Sequence, residues 1–222
     1  MIRVHLITED RTGGGLDDVV RGCVQAQRAR EGKEPLWFPR FKGNVDGAPQ
    51  LLKECAKYEL YRFNYSPRFD HVFYVLDARN AWKLSQLGIQ APEPPLSKTL
   101  PFFLEGVRKG MTTAAQDHRP SQTWEGIAEG FHPHVLVWER ESLVLPVMDK
   151  LNLGAPLQDV YGERQAAEFL SHRLRQTQGR KYDKAIHGPQ LLGQIARAPA
   201  LRDAVLASNP SLQQLVSDMA AL

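Results

Sequence analysis

The segment His71-Val72-Phe73-Tyr74-Val75-Leu76 is a near-continuous apolar run, and it ends in Asp77-Ala78-Arg79-Asn80. A run this short and this uniformly apolar is what a strand looks like when helices cover it on both faces, as in a parallel sheet. The chain around it agrees. Ile2 to Thr8 is apolar or β-branched at Ile2, Val4, Leu6 and Ile7, and closes on Glu9-Asp10. Arg11 to Gly15 carries three glycines, after which Leu16, Val19, Val20, Cys23 and Val24 recur at helical spacing, with Asp17 and Asp18 in the first turn. Strand, Gly-rich turn and helix make an opening βα unit.

A second short strand is predicted over Pro35 to Phe41, followed by a turn at Asn44-Val45-Asp46-Gly47 and a helix over Ala48 to Tyr61. From Gln90 to Leu104 the prolines at 92, 94, 95 and 101 predict a loop, and helical character returns around Phe102 to Ala115. Pro133 to Trp138 reads as a further strand passing into Glu139-Arg140-Glu141. Beyond Asn152 the helical segments are Glu163 to Gln176, Gly188 to Ala198, Pro199 to Ala207 and Ser211 to Leu222. Strands alternating with helices predict an α/β fold with a mainly parallel sheet covered by helices. The expectation is one domain over residues 1–222 with a helical C-terminal tail from about 155 to 222.

At 222 residues and 42% hydrophobic, such a chain buries a core without staples. Cys23 and Cys55 lie in helical stretches and read as small buried hydrophobes. There is no signal-peptide core at the start and no run of the ~18 apolar residues that a membrane span needs, so the expected location is cytoplasmic, with no membrane partner. A net charge of +3 is compatible with a polyanionic partner without demanding one.

Ligands of open α/β sheets collect beyond the carboxyl ends of the strands. Glu9, Asp77 and the Glu139/Glu141 pair each follow a predicted strand, and would converge there if those strands are neighbours. Crowded carboxylates repel, and a hard divalent cation is the usual relief. The bland reading is equally physical: acids at strand exits also form solvated turns and helix caps. Glu139 and Glu141 share a face only in an extended stretch. Arg180, Lys181, Lys184 and His187, ahead of a helix at Gly188-Pro189, suit a phosphate or else a solvated basic loop. Gly13-Gly14-Gly15 lacks the Lys-Ser/Thr of a phosphate-binding loop. His132-Pro133-His134 lacks the further ligands of a zinc site.

Leu6-Ile7-Thr8-Glu9-Asp10-Arg11-Thr12 resembles the "strand, Glu, Gly, x, Thr" start of Toprim-like proteins, and Val75-Leu76-Asp77-Ala78-Arg79-Asn80 resembles their Asp-x-Asp strand end. Trp138-Glu139-Arg140-Glu141-Ser142-Leu143-Val144-Leu145 is similar to the His-Glu-Phe-Glu-Ala-Leu-Leu segment of domain of unknown function 4276 (DUF4276). Tyr182-Asp183-Lys184-Ala185-Ile186-His187-Gly188-Pro189 resembles that family's tail motif. These segments occur in the family's order, from the first strand to about Leu215. The resemblance implies a Toprim-like fold and a nuclease dependent on Mg²⁺ or Mn²⁺. It implies Glu9, Asp77, Glu139 and Glu141 as catalytic carboxylates, with Glu9, Asp77 and Glu141 on the metal and Arg79, Lys184 and His187 on phosphate. It further implies nucleic acid as partner, an AAA- or ABC-type ATPase as companion in bacterial anti-phage defence of the OLD type, and a possible homo-oligomer. The departures are Arg79 at the second aspartate, Asp10 at the glycine and Trp138 at the histidine. They imply the alternative of a catalytically degenerate subunit that binds and regulates.

Overall fold

The computed structural model describes residues 1–9, 15–39, 45–66, 68–118 and 122–222. Expectations for Asp10, Arg11, Thr12, Gly13, Gly14, Phe41 and Asn44 lie outside the described residues. The chain is α/β. Strands β1 (Val4–Thr8), β2 (His71–Asp77) and β3 (Phe131–Leu136) form a three-stranded parallel sheet in the order β1-β2-β3. The β1/β2 register pairs Leu6 with Phe73 and Thr8 with Val75. The helices are α1 (Leu16–Arg30), α2 (Ala48–Cys55), α3 (Leu96–Gln116), α4 (Trp124–Ile127), α5 (Ala166–Gln178), α6 (His187–Arg197), α7 (Pro199–Ser208) and α8 (Pro210–Ala221). Two compact units divide the chain. The first is Met1–Thr12 with Leu36–Val135, and the second is Gly13–Pro35 with Leu136–Leu222.

In the first unit, Val72 to Leu76 are all buried, as a strand covered on both faces requires. Helix α2 packs on β2 and on α3. The loop expected over Gln90 to Leu104 is corrected: α3 begins at Leu96 and runs through Pro101. Leu100, Phe103, Val107, Met111 and Ala115 recur every three or four residues and are buried. That apolar stripe outweighs one missing backbone donor, and Pro101 itself faces solvent. The second strand expected at Pro35 to Phe41 is reduced, among the described residues, to an isolated bridge between Arg3 and Trp37. Trp37 there donates its N–H to the carbonyl of Ile2 and accepts one from Val4. Among the described residues of this unit Glu54 is the buried carboxylate. Burial pulls its pKa up, but donors from Lys57, Tyr61 and Gln50 outweigh this and leave it below the usual carboxylate value.

The histidines of β3 also belong to this unit. His132 Nε2 lies 3.0 Å from His71 Nδ1, and its ring stacks on Phe73 at 4.2 Å. His134 is buried against the same Phe73 at 5.6 Å. Burial, with Arg108 as the smaller cause, pushes its pKa down to about 4. The unfolded chain takes up this proton near pH 6.5, whereas the folded one resists until about pH 4, so stability falls as the pH drops through that window. Wild type should therefore lose roughly 3 kcal/mol more than His134→Gln between pH 7 and pH 4. Urea unfolding at both pH values checks this, and parallel losses would count against a neutral buried imidazole.

In the second unit α1 packs against α6, α7 and α8. Its buried stripe of Leu16, Val19, Val20, Cys23 and Val24 is the one its spacing predicts. Arg28, also buried, donates to the carbonyls of Glu34 and Ala220, and Lys33 adds a second bond to Ala220. Two cations thereby close the C-terminal end of α8, where carbonyls lack helical partners. Gly15 precedes α1 at φ 89°, and a Cβ there would stand 2.8 Å from that of Leu192 in α6. Glycine is required on both counts. No helix among the described residues is long and apolar enough to cross a membrane.

Candidate functional site

Glu9 and Asp77 sit where β1 and β2 end side by side. The Glu9 N–H donates to the Val75 carbonyl at 3.2 Å, continuing the ladder one residue past β1. The Glu9 side chain then turns across to its neighbour, and its Oε2 accepts the Asp77 N–H at 3.0 Å. Both residues are half-buried. After Asp77 a 3₁₀ turn, Ala78–Lys83, carries Arg79. The parallel register therefore brings Glu9, Asp77 and the start of the Arg79 turn to one carboxyl edge, as expected for ligand sites of this sheet type.

Glu139 and Glu141 belong to the second unit. The alternative of a solvated turn at a strand exit does not hold for them: each is only 1% exposed. The local turn and the distant segments packed on it both contribute. The Trp138 ring is fully buried, donates its indole N–H to the Tyr161 carbonyl at 2.9 Å, and lies beneath the Arg164 guanidinium. Glu139 then caps a 3₁₀ turn, Arg140–Leu143, through a reciprocal pair of bonds with Ser142. Tucked in this way, the turn directs both carboxylates into protein.

Burial of two acids needs compensation, and the residues present supply it. The Glu139 Oε1 accepts the Ala167 N–H at 2.9 Å and its Oε2 accepts Lys184 Nζ at 2.9 Å. The Glu141 Oε1 accepts Arg140 Nε and the Tyr182 hydroxyl, each at 3.0 Å. Its Oε2 lies 3.3 Å from Lys184 Nζ, yet accepts no hydrogen bond in good geometry. We read that contact as charge attraction alone, since an ammonium at this distance still attracts a carboxylate without a well-aligned hydrogen bond. Arg140 also donates to the Lys184 carbonyl at 2.7 Å. Burial, reinforced by the Glu141 charge, pushes the Tyr182 hydroxyl well above its ordinary pKa, so it stays a donor. At Gly188 a Cβ would come within 3.0 Å of Arg140, 3.1 Å of Tyr182 and 3.2 Å of Glu141. The start of α6 thus closes directly over the pair.

Of the nine tail and strand-end residues singled out from sequence, the structure brings together two sets, one in each unit. The first is Glu9, Asp77 and Arg79; the second is Glu139, Glu141 and Lys184. His187 Nδ1 accepts the Asp183 N–H at 2.7 Å rather than touching a carboxylate. Arg180 lines a separate cavity. Sequence reasoning missed Arg140, Ser142 and Tyr182 as partners of the acids. Ser142 was findable only by reversing the usual capping-box order, since here the acid Glu139 comes three residues before the serine. The half-buried His71–His132 pair was also missed.

The two sets differ as metal ligands. Glu9 and Asp77 offer hard oxygen donors at a ligand-collecting edge, a set that suits Mg²⁺ or Mn²⁺ completed by water. Glu139 and Glu141 already hold Lys184, so the cation position between them is taken by an ammonium. Among the described residues no group of three or more His, Cys, Asp or Glu is arranged to hold a metal ion. Comparisons with known protein families, with curated proteins and with solved structures find no match.

Proposed function

We propose that this chain is a Toprim-like, divalent-metal-dependent nuclease, acting as the effector subunit of an ATPase-associated anti-phage system. The observation that carries the chemical part is the Glu9 carboxylate held across two adjacent parallel strands onto the Asp77 N–H at 3.0 Å. Glu9 and Asp77 would hold the Mg²⁺ or Mn²⁺, which when bound supplies charge stabilisation at a phosphodiester and acidifies water. The strand register fixes Glu9, and its bond to Asp77 orients the carboxylate before any ligand arrives. Arg79, one turn on, offers a guanidinium to a phosphate oxygen. Lys184 holds Glu139 and Glu141 in place, and with His187 is the second unit's candidate for a phosphate contact. Nucleic acid is the substrate class, and the ATPase companion and defence role follow from the family resemblance alone.

The compensated Glu139–Glu141 pair favours a second reading, in which the chain is a degenerate subunit that docks on an ATPase or on nucleic acid. Neutralised acids need no metal. Metal binding separates the two. Wild type should take up Mn²⁺ with an affinity at least tenfold, about 1.4 kcal/mol, above that of Asp77→Asn. Electron paramagnetic resonance of free Mn²⁺ measures this directly, and identical isotherms would leave the degenerate reading in possession.

A further inference from the structure

We infer that the second unit carries a pocket for a phosphate-type oxyanion, distinct from the Glu9–Asp77 pair and independent of whether that pair cuts. A cavity of about 160 Å³ opens beside α5 and α6. Its floor is apolar and buried: Leu153, Leu174 and Leu191. Its rim is polar: Arg180, His187, Gln190 and Gln194. Among the described residues that line it there is no carboxylate.

The rim is set up to donate. The Asp183 N–H occupies His187 Nδ1 at 2.7 Å, so the neutral ring carries its proton on Nε2. Stacking on Tyr182, with ring centroids 5.7 Å apart, fixes that ring further. Gln178 closes one side by donating to the Asn152 carbonyl at 3.3 Å. Arg180, His187, Gln190 and Gln194 all line this one space, and each of these side chains carries N–H groups able to donate. One fixed positive charge and several N–H groups without a competing acid select an anion. Donors spread around a volume suit a tetrahedral oxyanion better than a flat carboxylate. The space admits a phosphate group and excludes a duplex, so the ligand is free phosphate or the phosphate at a strand end.

The test is calorimetric titration of the whole chain with inorganic phosphate, with acetate, and with one short single strand carrying or lacking a 5′-phosphate. We expect saturable phosphate binding, no comparable acetate binding, and at least a tenfold weakening in both Arg180→Ala and Gln194→Leu. Arg180 and Gln194 are exposed, so both variants should keep the wild-type circular dichroism. A phosphorylated strand that binds more tightly than free phosphate assigns the ligand to a strand end, and equal binding assigns it to free phosphate. Absence of saturable binding by either phosphate source, binding unchanged in both variants, or acetate binding as tight as phosphate overturns the proposal.

Discussion

Arg140→Met should destabilise the second unit by about 3–5 kcal/mol, the usual cost of stripping one partner from a buried ion pair. Both partners are out of water: the Arg140 side chain is 7% exposed and that of Glu141 1%. Removing the guanidinium deletes its 3.0 Å bond to Glu141 and its 2.7 Å bond to the Lys184 carbonyl together. Tyr182 and Lys184 would still face Glu141, but Lys184 is 47% exposed and its charge is partly screened. The double variant Arg140→Met, Glu141→Leu should regain most of the loss, because replacing a buried pair by apolar groups of similar volume is often close to neutral. Urea unfolding of wild type, Arg140→Met, Glu141→Leu and the double variant gives the coupling energy. A single variant costing under about 1 kcal/mol would mean the pair is solvated, contrary to its burial.

Glu9→Gln should fold normally and lose metal-dependent cleavage by on the order of a thousandfold, about 4 kcal/mol of transition-state stabilisation. The substitution isolates charge from shape. A glutamine carbonyl can still accept the Asp77 N–H that Glu9 Oε2 accepts at 3.0 Å, so the loss in stability should stay within about 1 kcal/mol. What disappears is a negatively charged oxygen ligand. Circular dichroism and thermal unfolding track the fold, while single-turnover cleavage tracks the chemistry. A variant that cuts as fast as wild type removes Glu9 from the machinery.

Local pattern carried much of the fold. The apolar run at His71 to Leu76 and the alternation at Ile2 to Thr8 each announce a strand, and their acids stand at its exit because the run stops there. Helix α3 was hidden because proline at 101 looks like a breaker until the buried stripe from Leu100 to Ala115 is weighed against one lost hydrogen bond. The Glu9–Asp77 pairing follows from two neighbouring parallel strands, so strand ends alone were enough to suggest it. The Lys184 contacts with Glu139 and Glu141 were not legible, since they join residues 45 and 43 positions apart through tertiary packing. Nor was the burial of these acids, which depends on Trp138 and on α6 closing at Gly188. Local spacing gives a residue's direction along its own element and says little about what a distant helix places over it.

Incubation of the purified wild-type chain with supercoiled plasmid and with total RNA, in Mg²⁺, in Mn²⁺ and in chelator, tests the central claim most directly. The account predicts cutting of at least one substrate in either metal and none in chelator. Cutting that persists in chelator, or both substrates left intact in both metals, would contradict it.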